Sequence, residues 1–139
     1  MIDTIKSLLE FGKALLGVKA ELAKASLEQR ERSAFYLDKV SETLGQVVEE
    51  FRTGHSIPHE ACGALSGYVR FLLDAMSPSL DAESLSHYSK LLNGAALTRQ
   101  LLGEIYQAGE DSSDQKEKAL SDLQTACGEF KALAAFLRT

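Results

Sequence analysis

If the side chains of this sequence do chemistry, there are few places for it. His55, His59 and Cys62, with Glu60 among them, are metal-ligand types at close spacing. No fourth ligand stands nearby, and His55 precedes the helix that carries the other two, so no metal site is read here. His87, with Lys90 three positions on, has the makings of a phosphoryl acceptor. Bulky Leu91 stands where a small residue would leave that imidazole open. Glu49-Glu50 and Glu110-Asp111 are carboxylate pairs, but adjacent residues on a helix diverge and do not face each other across a cleft. There is no glycine-rich phosphate loop and no nucleophile elbow. The expectation is a protein that is not an enzyme and uses no cofactor or metal. Cys62 and Cys127 are expected to be reduced, as small apolar side chains of helix interiors.

The elements that position these groups read as helices throughout. The 139 residues include 39 Leu and Ala against nine Ile and Val, a balance that favours helix over sheet. Apolar periodicity predicts helices over about 3–25, 27–53, 58–76, 82–108 and 113–138. In the second, Leu37, Val40, Leu44, Val47 and Phe51 form one seam at steps of three and four. Gly54 is placed as its C-cap, Pro58 in the first turn of the third helix, and Asp81 as the N-cap of the fourth. Gly94 marks a kink in the fourth, and Gly109–Ser113 reads as a loop with Ser113 capping the fifth. Gly63-x-x-x-Gly67 reads as a close helix approach. Short connections favour antiparallel neighbours, so the predicted fold is all-α: an antiparallel four-helix bundle with an additional helix, as a single domain over 1–139.

The first helix differs from the rest. At about 100° per residue, Asp3, Lys6, Glu10, Lys13, Glu21 and Lys24 fall into one narrow polar stripe. Nearly all the remaining circumference is apolar: Ile2, Ile5, Leu8, Leu9, Phe11, Leu15, Leu16, Val18 and Leu22. That is more than one packing face uses. Either this helix is surrounded on several sides within the bundle, or its surface can also leave and enter a lipid bilayer. At about 23 residues and ~1.5 Å each it would nearly cross a hydrocarbon core.

The net charge of −5 leaves no basic stripe for nucleic acid. The charge is unevenly distributed: residues 1–25 carry four basic and three acidic side chains, and the other 114 carry eleven and seventeen. The acidity belongs to the body of the domain, and the apolar first helix is slightly cationic. No secretory signal or uninterrupted apolar span is read.

The order of features resembles a known family. An apolar helix starts at the initiator Met as Ile2-Asp3-Thr4-Ile5-Lys6 with Leu8-Leu9. A charged turn follows at Glu28-Gln29-Arg30-Glu31-Arg32, then a long helix with Tyr36-Leu37, Val40, Leu44, Val47-Val48 and Phe51. Gly54, Pro58 and Glu60 lead into Leu65, Tyr68 and Arg70-Phe71-Leu72. This is similar to the HeLo-type four-helix domain of fungal cell-death proteins, the necroptosis pseudokinase MLKL and helper plant immune receptors. The bacterial counterparts, called Bell domains, are the nearest in style. The resemblance implies a cell-death or immune effector that oligomerises after an upstream sensor or signalling protein acts, and that permeabilises membranes through its N-terminal helix. It implies membrane contact at Ile2, Ile5, Leu8, Leu9, Phe11, Leu15, Leu16, Val18 and Leu22, with Lys6, Lys13, Lys19 and Lys24 at lipid headgroups. The protein would be cytoplasmic at rest and at the inner or plasma membrane when active. The alternative is a helical interaction or adaptor module whose apolar surface takes a partner helix.

Overall fold

The computed structural model describes residues 3–54, 59–92 and 94–139. Among them every regular element is helical: α1 (Asp3–Gly17), α2 (Lys19–Leu22), α3 (Leu27–Thr53), α4 (His59–Met76), α5 (Ala82–Leu91), α6 (Gly94–Asp111) and α7 (Ser113–Leu137), with a 3-10 turn at Ser77–Ser79. Helix α3 packs against α4 and α7, α6 packs against those same two helices, and α1 lies against α5, α6 and α7.

The predicted second helix is observed with its bounds unchanged, and its seam is the reason. Leu37, Val40, Leu44 and Val47 have no solvent exposure, so one stripe of α3 meets two neighbouring helices over its length. Its ends are set locally. The Ser26 side chain accepts a hydrogen bond from the Gln29 N–H at 3.2 Å, and Gly54 closes the helix at φ 69°, a left-handed conformation that glycine adopts without strain. Asp81 caps α5, accepting from the Ser84 N–H at 2.6 Å; those hydrogen bonds hold its carboxyl below its ordinary pKa.

Three boundaries differ from expectation. The first predicted helix, 3–25, ends at Gly17. The Val18 N–H is shared between the carbonyls of Ala14 and Leu15, both at 3.2 Å, and Val18 leaves helical geometry at φ −111°, ψ 17°. The short α2 then turns Leu22 into the core, where it is 3% exposed. The predicted 82–108 helix is two helices, because Leu92 departs from helical geometry at φ −114°, ψ 58°, next to the kink assigned to Gly94. The loop expected at Gly109–Ser113 is mostly helix. α6 continues through Asp111, supported by a Gln107–Asp111 side-chain hydrogen bond of 3.3 Å one turn apart. Ser112, not Ser113, is the extended N-cap of α7 and accepts from the Gln115 N–H at 3.0 Å. Pro58 lies outside the described residues.

Helix α7 is fastened back onto α3 at its C-terminus. Arg138 donates to Glu31 at 3.0 Å and also to Asp38, and the Arg30 guanidinium donates to the Leu137 carbonyl at 3.3 Å. Cations at a helix C-terminus complement the end of its dipole. The chain therefore joins its last helix to its first long one.

Candidate functional site

The docked N-terminal helix is the candidate site, and its surroundings account for its wide apolar arc. Ile5, Leu8, Phe11 and Leu15 are fully buried at i, i+3, i+6 and i+10, one continuous stripe. Leu9, Leu16 and Val18 are half-buried against the same core. Contacts with α5, α6 and α7 use a broader arc than a single packing face would. Phe11 is the anchor. Its ring sits 5.4 Å from Tyr88 of α5, edge-on, and 5.8 Å from Phe130 of α7, within the range where aromatic pairs attract.

Two carboxylates also lie against this helix, and one of them holds it. Glu104 of α6 reaches the free N–H groups at the start of α1, accepting from Thr4 N at 2.8 Å and 3.0 Å and from Ile5 N at 3.4 Å. The Thr4 hydroxyl donates to Gln100 Oε1 at 3.3 Å. A negative charge here satisfies orphan donors and meets the positive end of the helix dipole. The cap is supplied in trans by a residue about a hundred positions away.

The second is Glu129 of α7, which lies across Gly12. A Cβ at Gly12 would come 3.1 Å from the Glu129 carboxylate, so glycine makes room for the acid at this crossing. Glu129 Oε1 is buried with no hydrogen-bond partner among the described residues. Burial raises the Glu129 pKa, partly offset by Lys13. An acid whose folded pKa is raised contributes stability when protonated and loses it as pH rises through that pKa. Glu129→Gln is therefore expected to gain stability over the parent as pH rises above the ordinary carboxylate value of about 4, with the two converging in acid. Urea unfolding at a series of pH values measures the gap.

The residues assigned to membrane contact are thus core residues in this conformation. Ile5, Leu8, Phe11, Leu15 and Leu22 are buried, and Leu9, Leu16 and Val18 are half-buried; Ile2 lies outside the described residues. Of the four lysines, Lys6 and Lys13 are exposed on α1. Lys19 lies 5.0 Å over the Phe136 ring, and Lys24 pairs with Glu21 at 3.3 Å. α1 is 15 residues long, and among the described residues no helix is long and apolar enough to cross a membrane. The expectation that about 23 residues could nearly span a bilayer is corrected by the break at Gly17.

Among the described residues, the side chains with chemical potential do not form a common site. His55 and the side chains of His59 and Leu91 lie outside the described residues. Glu60 is exposed and Cys62 buried, and burial, with Glu50 adding to it, pushes the Cys62 thiol up to about 11. Cys127 is also pushed up to about 11 by burial. Such thiols are poor nucleophiles at neutral pH, and among the described residues no disulfide forms. No group of three or more metal-ligating side chains occurs among them either. His87 is exposed on α5, its ring 5.8 Å from that of Tyr88. Glu49, Glu110 and Asp111 face solvent and Glu50 is half-buried. Glu104, Gln100 and Glu129 were not evident in the sequence; the one local signal was a glycine, Gly12, within an otherwise apolar helix.

No family model matches this chain, and no curated protein and no solved structure shows significant similarity to it.

Proposed function

We propose that this chain is a HeLo-type, Bell-like domain, a cell-death or immune effector that oligomerises and perturbs membranes by releasing its N-terminal helix. The observation that carries this reading is the packing order. α3, α4, α6 and α7 contact one another in a closed cycle, and α1 lies against the α6 and α7 side of it. In this reading the cycle is a four-helix frame that stands when α1 leaves. Burial of Ile5, Leu8, Phe11 and Leu15 in the acyl boundary replaces their burial in the protein. Lys6 and Lys13, already exposed, meet anionic headgroups. A helix of 15 residues is about 22 Å long, short of the ~30 Å hydrocarbon core, so it lies in the interface and does not span. The resting domain is cytoplasmic and moves to the membrane once an upstream sensor acts. Catalysis, cofactors and nucleic acid have no part in it.

Dye release from phosphatidylserine-containing vesicles tests the proposal. Glu104→Ala removes the trans cap, worth about 1 kcal/mol, and should raise the released population and the leakage about fivefold. Leu9→Glu with Leu16→Glu charges a half-buried flank of α1 and should abolish leakage, with circular dichroism confirming the fold. Equal leakage by all three proteins refutes the mechanism.

A second reading, a helical adaptor module, is favoured by a different observation. Phe35 and Phe71, 49% and 43% exposed, flank Tyr36 on the α3–α4 surface while α1 stays docked. It predicts no leakage at any concentration.

A further inference from the structure

The outward face of α4 is built from residues that complement a second copy of themselves. Glu60, Gly63, Ala64, Gly67, Arg70 and Phe71 fall on one stripe about 120° wide. Opposite it lie the buried Cys62, Leu65, Val69 and Leu72. All six are exposed except Gly67, which is half-exposed. The close approach expected at Gly63-x-x-x-Gly67 is not made within the chain: a Cβ built on either glycine meets no atom within 4 Å. Glycine inside a helix is destabilising relative to Ala, and a Cβ there would find no contact among the described residues to offset that. The result is a shallow trough along α4. Phe71 stands at one end of it, its ring 5.6 Å from Tyr36. Alongside the trough, on the α3 side, opens a groove of about 330 Å³ between α3 and α4, lined by Lys39, Thr43, Glu60, Ala61, Ala64 and Tyr68 among others.

Two pairs on this stripe share one centre. Gly63 with Gly67 and Glu60 with Arg70 are both centred on the level of Leu65. A two-fold axis at that level, perpendicular to α4, lays the α4 of a second copy antiparallel over the first. Gly63 then meets Gly67, where the missing side chains allow the backbones to come close. The Glu60 carboxylate meets the Arg70 guanidinium, twice by symmetry. The same operation keeps the α3 sides of both copies together, so each Phe71 comes over the α3–α4 groove of the other copy, beside Glu60 and Tyr68. We propose that this face is a homodimer interface, with Phe71 of each copy seated in the other's α3–α4 groove. Any other helical partner would have to supply an acid opposite Arg70, a base opposite Glu60, small residues between them and an aromatic at the groove. The chain's own α4 carries all of these at the required spacing. The interface forms with α1 docked and does not depend on the membrane reading.

Sedimentation velocity from about 1 µM to about 500 µM, without lipid, tests it. A concentration-dependent dimer is expected. Gly67→Leu and Phe71→Ala should each weaken it at least about tenfold while the monomer stays folded, since a side chain at Gly67 meets open space and Phe71 is 43% exposed, with its ring against Tyr36 and Arg70. Glu60→Arg alone should weaken it by a similar factor, and Glu60→Arg combined with Arg70→Glu should restore it. A monomer at every concentration overturns the proposal, as does a dimer indifferent to Gly67→Leu or a charge swap that fails to restore association. A monomeric parent that binds phosphatidylserine vesicles through Phe71 would also overturn it, and would assign the face to lipid.

Discussion

Phe11→Ala is expected to undock α1 while α3, α4, α6 and α7 stay folded. Phe11 has no solvent exposure and bridges Tyr88 of α5 to Phe130 of α7. Truncation removes both ring contacts and leaves a cavity between three helices, at a cost of about 3–5 kcal/mol. The rest of α1 is held by Ile5, Leu8 and Leu15 and by the Glu104 cap. A 15-residue helix is marginal on its own in water, so α1 should lose protection as a unit. In native-state hydrogen exchange, amides from about Leu8 to Leu15 should exchange at least about 100-fold faster. Those of α3 should change much less, because Leu37, Val40, Leu44 and Val47 pack α3 on α4 and α7. If α1 and α3 lose protection equally, α1 is not a separable element, and release as the activating step fails. The experiment needs no membrane, so it probes the mechanical premise of the proposed function by itself.

The contrast between α3 and α1 also bears on what the amino-acid pattern could reveal. α3 was legible to the residue because its seam, its glycine stop and its length are all local. The first helix was legible as an apolar object but not in its extent. Gly17 and the bifurcated Val18 N–H end it so that Leu22 can turn inward, and that requirement comes from α7. The wide apolar arc was correctly read as surplus to one packing face, with burial on several sides as one of its two explanations. The structure supplies the three helices that do the burying. Gly63 and Gly67 were read as a close helix approach, and within the described residues a Cβ at either meets nothing within 4 Å; a small-residue spacing carries no information about which surface it faces. Ser112 displaced Ser113 as the cap because α6 continued one turn through acidic residues that do not themselves break a helix. Glu104 and Glu129 were beyond sequence reasoning. Each is an ordinary acid on its own helix, and becomes a clamp or a desolvated charge only when a segment about a hundred residues away is laid across it.

Leu44→Ala should behave in the opposite way to Phe11→Ala and lower the stability of the whole domain. Leu44 lies near the middle of α3, has no solvent exposure and belongs to the seam shared with α4 and α7. Large-to-small truncation there costs about 2–5 kcal/mol, a large part of the ~5–15 kcal/mol by which domains of this kind are stable. α3 is in contact with two members of the closed cycle, so a cavity there weakens the packing that every other helix, α1 included, relies on. The chain has no Trp, which makes far-UV circular dichroism the natural probe. The urea midpoint should fall with the slope of the transition unchanged, as for a loss of stability within one cooperative unit. In hydrogen exchange the most protected amides of α1, α3, α4 and α7 should all exchange faster together. Protection lost only at α1 in this variant would mean that α3 is not the mechanical centre of the fold. Global loss from Leu44→Ala together with local loss from Phe11→Ala would separate the domain into a frame and a detachable first helix. Release then needs only an input comparable with the packing of α1.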